Sequence, residues 1–136
     1  MKKRLLFIFI GISFVIVIFY FLRPSQKSYK GFDATTYTIE NKTYTLLVAD
    51  NEAKWTRGLM NVEKKPEGID GMIFLFPKKQ HLSFWNMNTD LDLNLVWLDG
   101  EKKIGTSFLP SIKRSKDIVT VSSPRPADKV IEFFAD

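Results

Sequence analysis

Residues 93–109, LNLVWLDGEKKIGTSFL, decide the fold. The apolar run 93–98 meets a second, 104–109, across Asp99-Gly100, and an Asp-Gly pair between two apolar runs is a strong signal for a tight hairpin. Working outward, the pattern repeats. Upstream lie the short apolar runs 72–76 (MIFLF) and 82–85 (LSFW), separated by Pro77-Lys78-Lys79 and followed by the polar stretch 88–92. Downstream lie 118–121 (IVTV) and 130–134 (VIEFF), parted by Pro124 and Pro126. Toward the N-terminus, Thr35, Tyr37 and Ile39 share one face, as do Tyr44, Leu46 and Val48 after the Asn41-Lys42 break. Thr and Tyr are enriched in both segments, which predicts another hairpin. Asp50-Asn51-Glu52 offers an N-cap and an acidic first turn, so residues 53–60 are read as one short helix ending near Gly58. The sum is a mainly β domain of about eight short strands with one short helix, sandwich-like or barrel-like. Strands and helices do not alternate along the chain, which argues against a doubly wound nucleotide-binding sheet.

Residues 5–22, LLFIFIGISFVIVIFYFL, differ from the rest. They hold five of the twelve Phe and no charge. As a helix they span roughly 27 Å, close to the hydrocarbon core of a bilayer. The run ends in Tyr20-Phe21-Leu22-Arg23-Pro24 without a small-x-small cleavage site, and Lys2, Lys3 and Arg4 precede it, so an uncleaved, single-pass signal anchor is expected with its N-terminus cytoplasmic. This reading divides the chain into an anchor (1–23), a linker (24–34) and an extracytoplasmic β domain (35–136) at the cell membrane. Removing Lys2, Lys3 and Arg4 leaves 17 basic against 15 acidic residues, a net charge of +2. The pI near 9.4 is therefore in part a targeting signal, and no nucleic-acid partner is expected. The chain has no Cys, which excludes thiol catalysis, disulfides and thiolate metal sites.

The search for chemistry yields few assembled sets. His81 is the single histidine, so no two-histidine metal site exists, and the Gly-x-Ser-x-Gly context of a hydrolase elbow is missing. The seven glycines are scattered, so there is no Gly-rich phosphate loop. Asp90 and Asp92 project to one side of an extended segment, in phase with Asn88 and Asn94. That row offers hard oxygen ligands, yet the Gly and distal Glu of a calcium loop are absent, and no metal or cofactor is expected. In Phe84-Trp85-Asn86-Met87-Asn88-Thr89 an aromatic pair runs directly into amides and a hydroxyl, a combination that suits a neutral, hydroxyl-rich ligand such as a sugar. On sequence alone it better suits Phe84 in the core, Trp85 over a sheet end, and Asn88 and Thr89 tying a turn. Arg57 is placed either to complement its helix dipole or to fork onto a carboxylate. Trp55 and Trp97 read as packing residues, and Lys113, Arg114 and Lys116 as a solvated basic face.

Three blocks resemble one known family. They are Trp55-Thr56-Arg57-Gly58-Leu59-Met60, then Gly71-Met72-Ile73-Phe74-Leu75-Phe76-Pro77, then Phe84 to Thr89 followed by Leu93 to Gly100. In order and spacing the chain resembles domain of unknown function 192. The resemblance implies a compact β-rich domain, with a short helix bearing the Arg-Gly-Leu-Met block and an export or anchor segment before it; it implies no activity. The family's usual Met-Lys is Asn86-Met87 here, and its usual Pro-Leu-Asp is Asp92-Leu93-Asn94, which weakens an ionic role for that loop.

Taken together, the expected function is a non-catalytic, membrane-tethered binding module. Its candidate ligand-binding residues are Arg57, Trp85, Asn88, Thr89, Asp90 and Asp92. The partner expected is a saccharide, a small polar molecule or an envelope protein. Two alternatives stand beside it: a small envelope enzyme using Arg57 with Asp90 and Asp92, and a structural assembly factor.

Overall fold

The computed structural model describes residues 31–135; the expected anchor and most of the expected linker lie outside them. Eight strands form: β1 (Ala34–Ile39), β2 (Lys42–Ala49), β3 (Gly71–Gln80), β4 (Ser83–Trp85), β5 (Leu93–Asp99), β6 (Lys102–Leu109), β7 (Thr120–Ser122) and β8 (Ala127–Phe134). Six make one sheet in the order β1-β2-β3-β8-β5-β6, and β4 pairs with β7 in a separate ribbon. The β5–β6 hairpin pairs Leu93 with Leu109 and Asp99 with Lys102, as the Asp99-Gly100 signal requires. β2 and β3 are parallel, joined through the short helix α1 (Glu52–Arg57); every other pairing is antiparallel.

Both faces of the large sheet are apolar, and the two-residue period of the strands sorts side chains between them. One face gathers Leu47 and Ala49 of β2, Met72 and Phe74 of β3, Leu93, Leu95 and Trp97 of β5, and Val130 and Phe134 of β8. Leu59 and Val62, which follow α1, cover it. The opposite face centres on Leu46, Ile73, Leu98 and Ile131, with Tyr37, Tyr44 and Phe133 packed against them.

Several expectations are corrected. The sheet does not close into a barrel: β4 and β7 pair with each other, so only six strands remain and β1 and β6 stay as edges. Side chains alone link the two ends of the sheet, Tyr37 Oη donating to Glu101 at 2.6 Å and Lys103 pairing with Glu40 at 3.2 Å. Among the described residues there are two short helices rather than one, since α2 (Ile112–Ser115) forms where Ser111 caps the N–H of Arg114. α1 ends at Arg57 with Gly58 as its cap, near the expected end, and residues 58–60 form a turn rather than helix, because Gly58 turns the chain at φ +46, a conformation that disfavours a side chain. β3 runs past the expected Phe76 to Gln80. Pro77 cannot donate to a ladder, and the register with β8 shifts between Leu75 and Gln80 where it sits. Phe32, read as linker, is only 1% exposed and belongs to the core.

Candidate functional site

The helix α1 is pinned before it presents anything. Asn51 Oδ1 accepts from Lys54 N at its start, and Gly58 N donates to Lys54 O at its end. The Trp55 indole N–H is shared between the carbonyls of Ala49 and Leu75, at 3.0 and 3.1 Å, which locks the helix to the end of β2 and the middle of β3. The turn 58–61 then leads away over Phe74, whose ring lies 3.3 Å from where a Cβ on Gly58 would stand.

A second wall comes from β4 and the turn after it. Phe84 packs edge-on to both Phe74 and Trp97, while its neighbour Trp85, on the alternate face, is 50% exposed. Asn86 is fully buried and holds the turn: its side-chain amide donates to Pro110 O and Ser115 Oγ at 2.9 Å and accepts Val119 N at 2.8 Å. Asn88 adopts φ +53, which Asn tolerates better than most residues. Its carbonyl accepts Asn61 N at 2.8 Å, tying the second wall to the first.

Between these walls lies a small hollow open to solvent. Residues 55–60 line one side, Phe84, Trp85 and Thr89 the other, and Phe74 and Glu132 the floor. Arg57, at the exposed end, carries its guanidinium 4.9 Å from the ring centre of Phe32. Glu132 is 4% exposed and lies in phase with Val130 and Phe134 on the core side of β8, paired to Met72 of β3 and Leu95 of β5. Among the described residues no hydrogen bond or ion pair reaches its side chain. Every sealed side-chain oxygen or nitrogen among those residues has a partner, so the unpaired Glu132 carboxyl must open into the pocket. Burial pushes its pKa up to about 8, and no neighbouring charge pulls it back. At neutral pH the carboxyl is therefore mostly protonated, able to donate a hydrogen bond to a neutral group or to give up its proton beside a cation.

Of the residues expected from sequence, Arg57, Trp85 and Thr89 come together here. Asn88, Asp90 and Asp92 do not line the pocket. Asn88 works through its backbone in the turn. Asp90 pairs with Lys113 at 3.1 Å, and Asp92 with Arg114 at 2.7 Å, so the basic cluster 113–116 neutralises the acidic row instead of forming a separate face. The Ser111 backbone N–H, and after it Arg114, hold the Asp92 carboxyl below the usual carboxylate range. Among the described residues no cluster of three or more His, Asp or Glu is set to hold a metal ion. Glu132 was missed. Its signal was a lone charge inside the run VIEFF, in phase with two residues that an amphipathic strand would bury.

The model of family DUF192, described as "Uncharacterized ACR", matches residues 35–136. No curated protein matches the chain. Among solved structures, a protein of unknown function from Novosphingobium aromaticivorans superposes with a TM-score of 0.64 at 18% identity, over 83% of each chain. A protein from Sinorhizobium meliloti described as a proposed transcription regulator superposes with a TM-score of 0.57 at 23% identity, over 75% of this chain and 78% of that one. At these identities the likeness is one of fold alone.

Proposed function

The chain belongs to the DUF192 family, and we propose that it is a membrane-tethered binding module for a small polar ligand, seated between Trp55 and Trp85 on the Glu132 carboxyl. One observation carries this reading: a buried acid without a partner, opening into a pocket walled by aromatic rings. Leaving a buried polar group unpaired costs about 1–3 kcal/mol, more for a charged one, and a fold tolerates that where a ligand supplies the missing contact. The mixture of aromatic walls with few polar groups is also how small-molecule sites are commonly built. The apolar run 5–22 behind three basic residues supports tethering with the domain on the outer side of the membrane.

A thermal-shift screen of the full chain against saccharides, amino acids and other small polar metabolites tests the reading. Hits are expected to raise the melting temperature. A folded Trp85→Ala variant is expected to weaken them by about tenfold, the equivalent of about 1.4 kcal/mol. Hits bound equally well by Trp85→Ala and Glu132→Gln would put the ligand elsewhere.

The same carboxyl favours one second reading, an enzyme with Glu132 as general acid, because an acid that keeps its proton near neutrality is suited to that task. Conversion of a bound hit, lost in Glu132→Gln, would distinguish it from a binding module.

A further inference from the structure

Resting on the pocket as a ligand site, we propose that the ligand is a small zwitterion, its ammonium group held at Glu132 among the aromatic walls and its carboxylate facing Arg57.

The polar groups of the pocket are few and particular. Apart from backbone, they are the indole N–H groups of Trp55 and Trp85, Thr56, Arg57, Thr89 and Glu132. The Thr89 hydroxyl already donates to Met87 O at 3.3 Å, and the Trp55 indole N–H is shared by two carbonyls. A hydroxyl-rich sugar needs several donors and acceptors around its rim, and these walls do not supply them. What the pocket does supply is one acid at its buried end and one base at its exposed end. Rings of Trp55, Phe74, Phe84 and Trp85 line the space between, and aromatic rings attract cations, most strongly where water is excluded. A guanidinium matches the fork of a carboxylate.

Proton balance makes the proposal measurable. Without ligand, the carboxylic acid holds its proton. When an ammonium group arrives, the O–H bond of Glu132 breaks, the proton passes to solvent, and carboxylate and ammonium pair. Arg57 is the other charged side chain lining the pocket among the described residues, and the groups reaching it from β3 and β4 (Phe74, Phe84, Trp85) do not titrate. The pH dependence of binding below about pH 8 therefore belongs to Glu132.

The test is calorimetric titration of the full chain with glycine betaine, leucine and methyl glucoside at several pH values, in two buffers of different ionisation enthalpy. Betaine carries a fixed positive charge, so any pH dependence in its binding comes from the protein. The expected result is that a zwitterionic probe binds and releases close to one proton at pH 6. Its affinity rises about tenfold per pH unit below pH 8, and Glu132→Gln removes both the proton release and the pH dependence. Proton release is read on the native protein, so the outcome does not hang on the variant. Zwitterion binding without proton release overturns the inference. So does glucoside binding that Trp85→Ala abolishes while both zwitterions fail, a result that leaves the pocket itself as the ligand site. If neither zwitterion binds and no hit of the wider screen responds to Trp85→Ala or Glu132→Gln, both readings fall.

Discussion

A carboxyl taken out of water with no counter-charge holds its proton past neutrality, and in Glu132 that has a consequence for the whole fold. Its pKa is about 8 in the folded chain against an ordinary 4.5 when unfolded. Between those values the folded state binds more protons than the unfolded one, so this group's contribution to stability falls as pH rises from about 4.5 to about 8. Across the whole window the loss is roughly 5 kcal/mol. Glu132→Gln keeps the shape and removes the titration. We expect the variant to match the native protein near pH 5 and to exceed it by about 2–5 kcal/mol near pH 8.5 in urea unfolding. The lowered carboxylates Asp50, Asp92 and Glu101 act in the opposite sense, on the acid side, and cancel in this comparison. Asn86 is the contrasting residue, buried and fully bonded. Asn86→Ala strands the part-buried N–H of Val119 and frees the turn that carries Trp85, so a loss of about 2–4 kcal/mol is expected, read as a fall in melting temperature of about 10 °C or more. Trp85 was legible in the sequence as an aromatic beside amides. Asn86 was legible only as part of a polar turn, because its partners lie 24 to 33 residues away.

Elements set the pocket's shape through close approaches. β3 and β8 run so near each other at Gly71 that a Cβ there would stand 1.9 Å from the Glu132 carbonyl oxygen. Gly71→Ala must push the two central strands apart beneath the pocket floor, and a loss above about 3 kcal/mol is expected in denaturant unfolding. The loop before β5 is a milder case. Asp92 accepts from Ser111 N and pairs with a largely exposed Arg114, so Asp92→Asn should cost under about 1 kcal/mol and leave ligand affinity unchanged. An altered affinity would return this loop to the site. The hairpin 93–109 was readable because its turn chemistry and its apolar runs agree. The end of β3 was not, since a proline in a strand looks like a break until an irregular register accommodates it. α2 is a single turn created by Ser111 and by charge pairing with residues some twenty positions earlier, and a four-residue helix leaves no periodicity to read.

At the scale of the molecule, strand count and apolar alternation were enough to foresee a mainly β domain, but not whether it closes. That depends on β4 and β7 choosing each other, a pairing between segments more than thirty residues apart. The result is an open sheet with a solvent-facing hollow on one face, where α1, β4 and the two central strands meet. The proposed tether belongs to this scale too. The full chain is expected in the membrane pellet after alkaline carbonate extraction, and a chain lacking residues 1–23 in the supernatant; an extractable full chain would argue against anchoring. The central claim, an unpaired acid at the floor of a pocket, is tested most directly by a pH titration of the full chain with its six Glu labelled at the side-chain carboxyl carbon and read by NMR. One resonance is expected to titrate near pH 8, to vanish in Glu132→Gln and to move toward lower pH on ligand binding. Six resonances all titrating in the ordinary carboxylate range would contradict it.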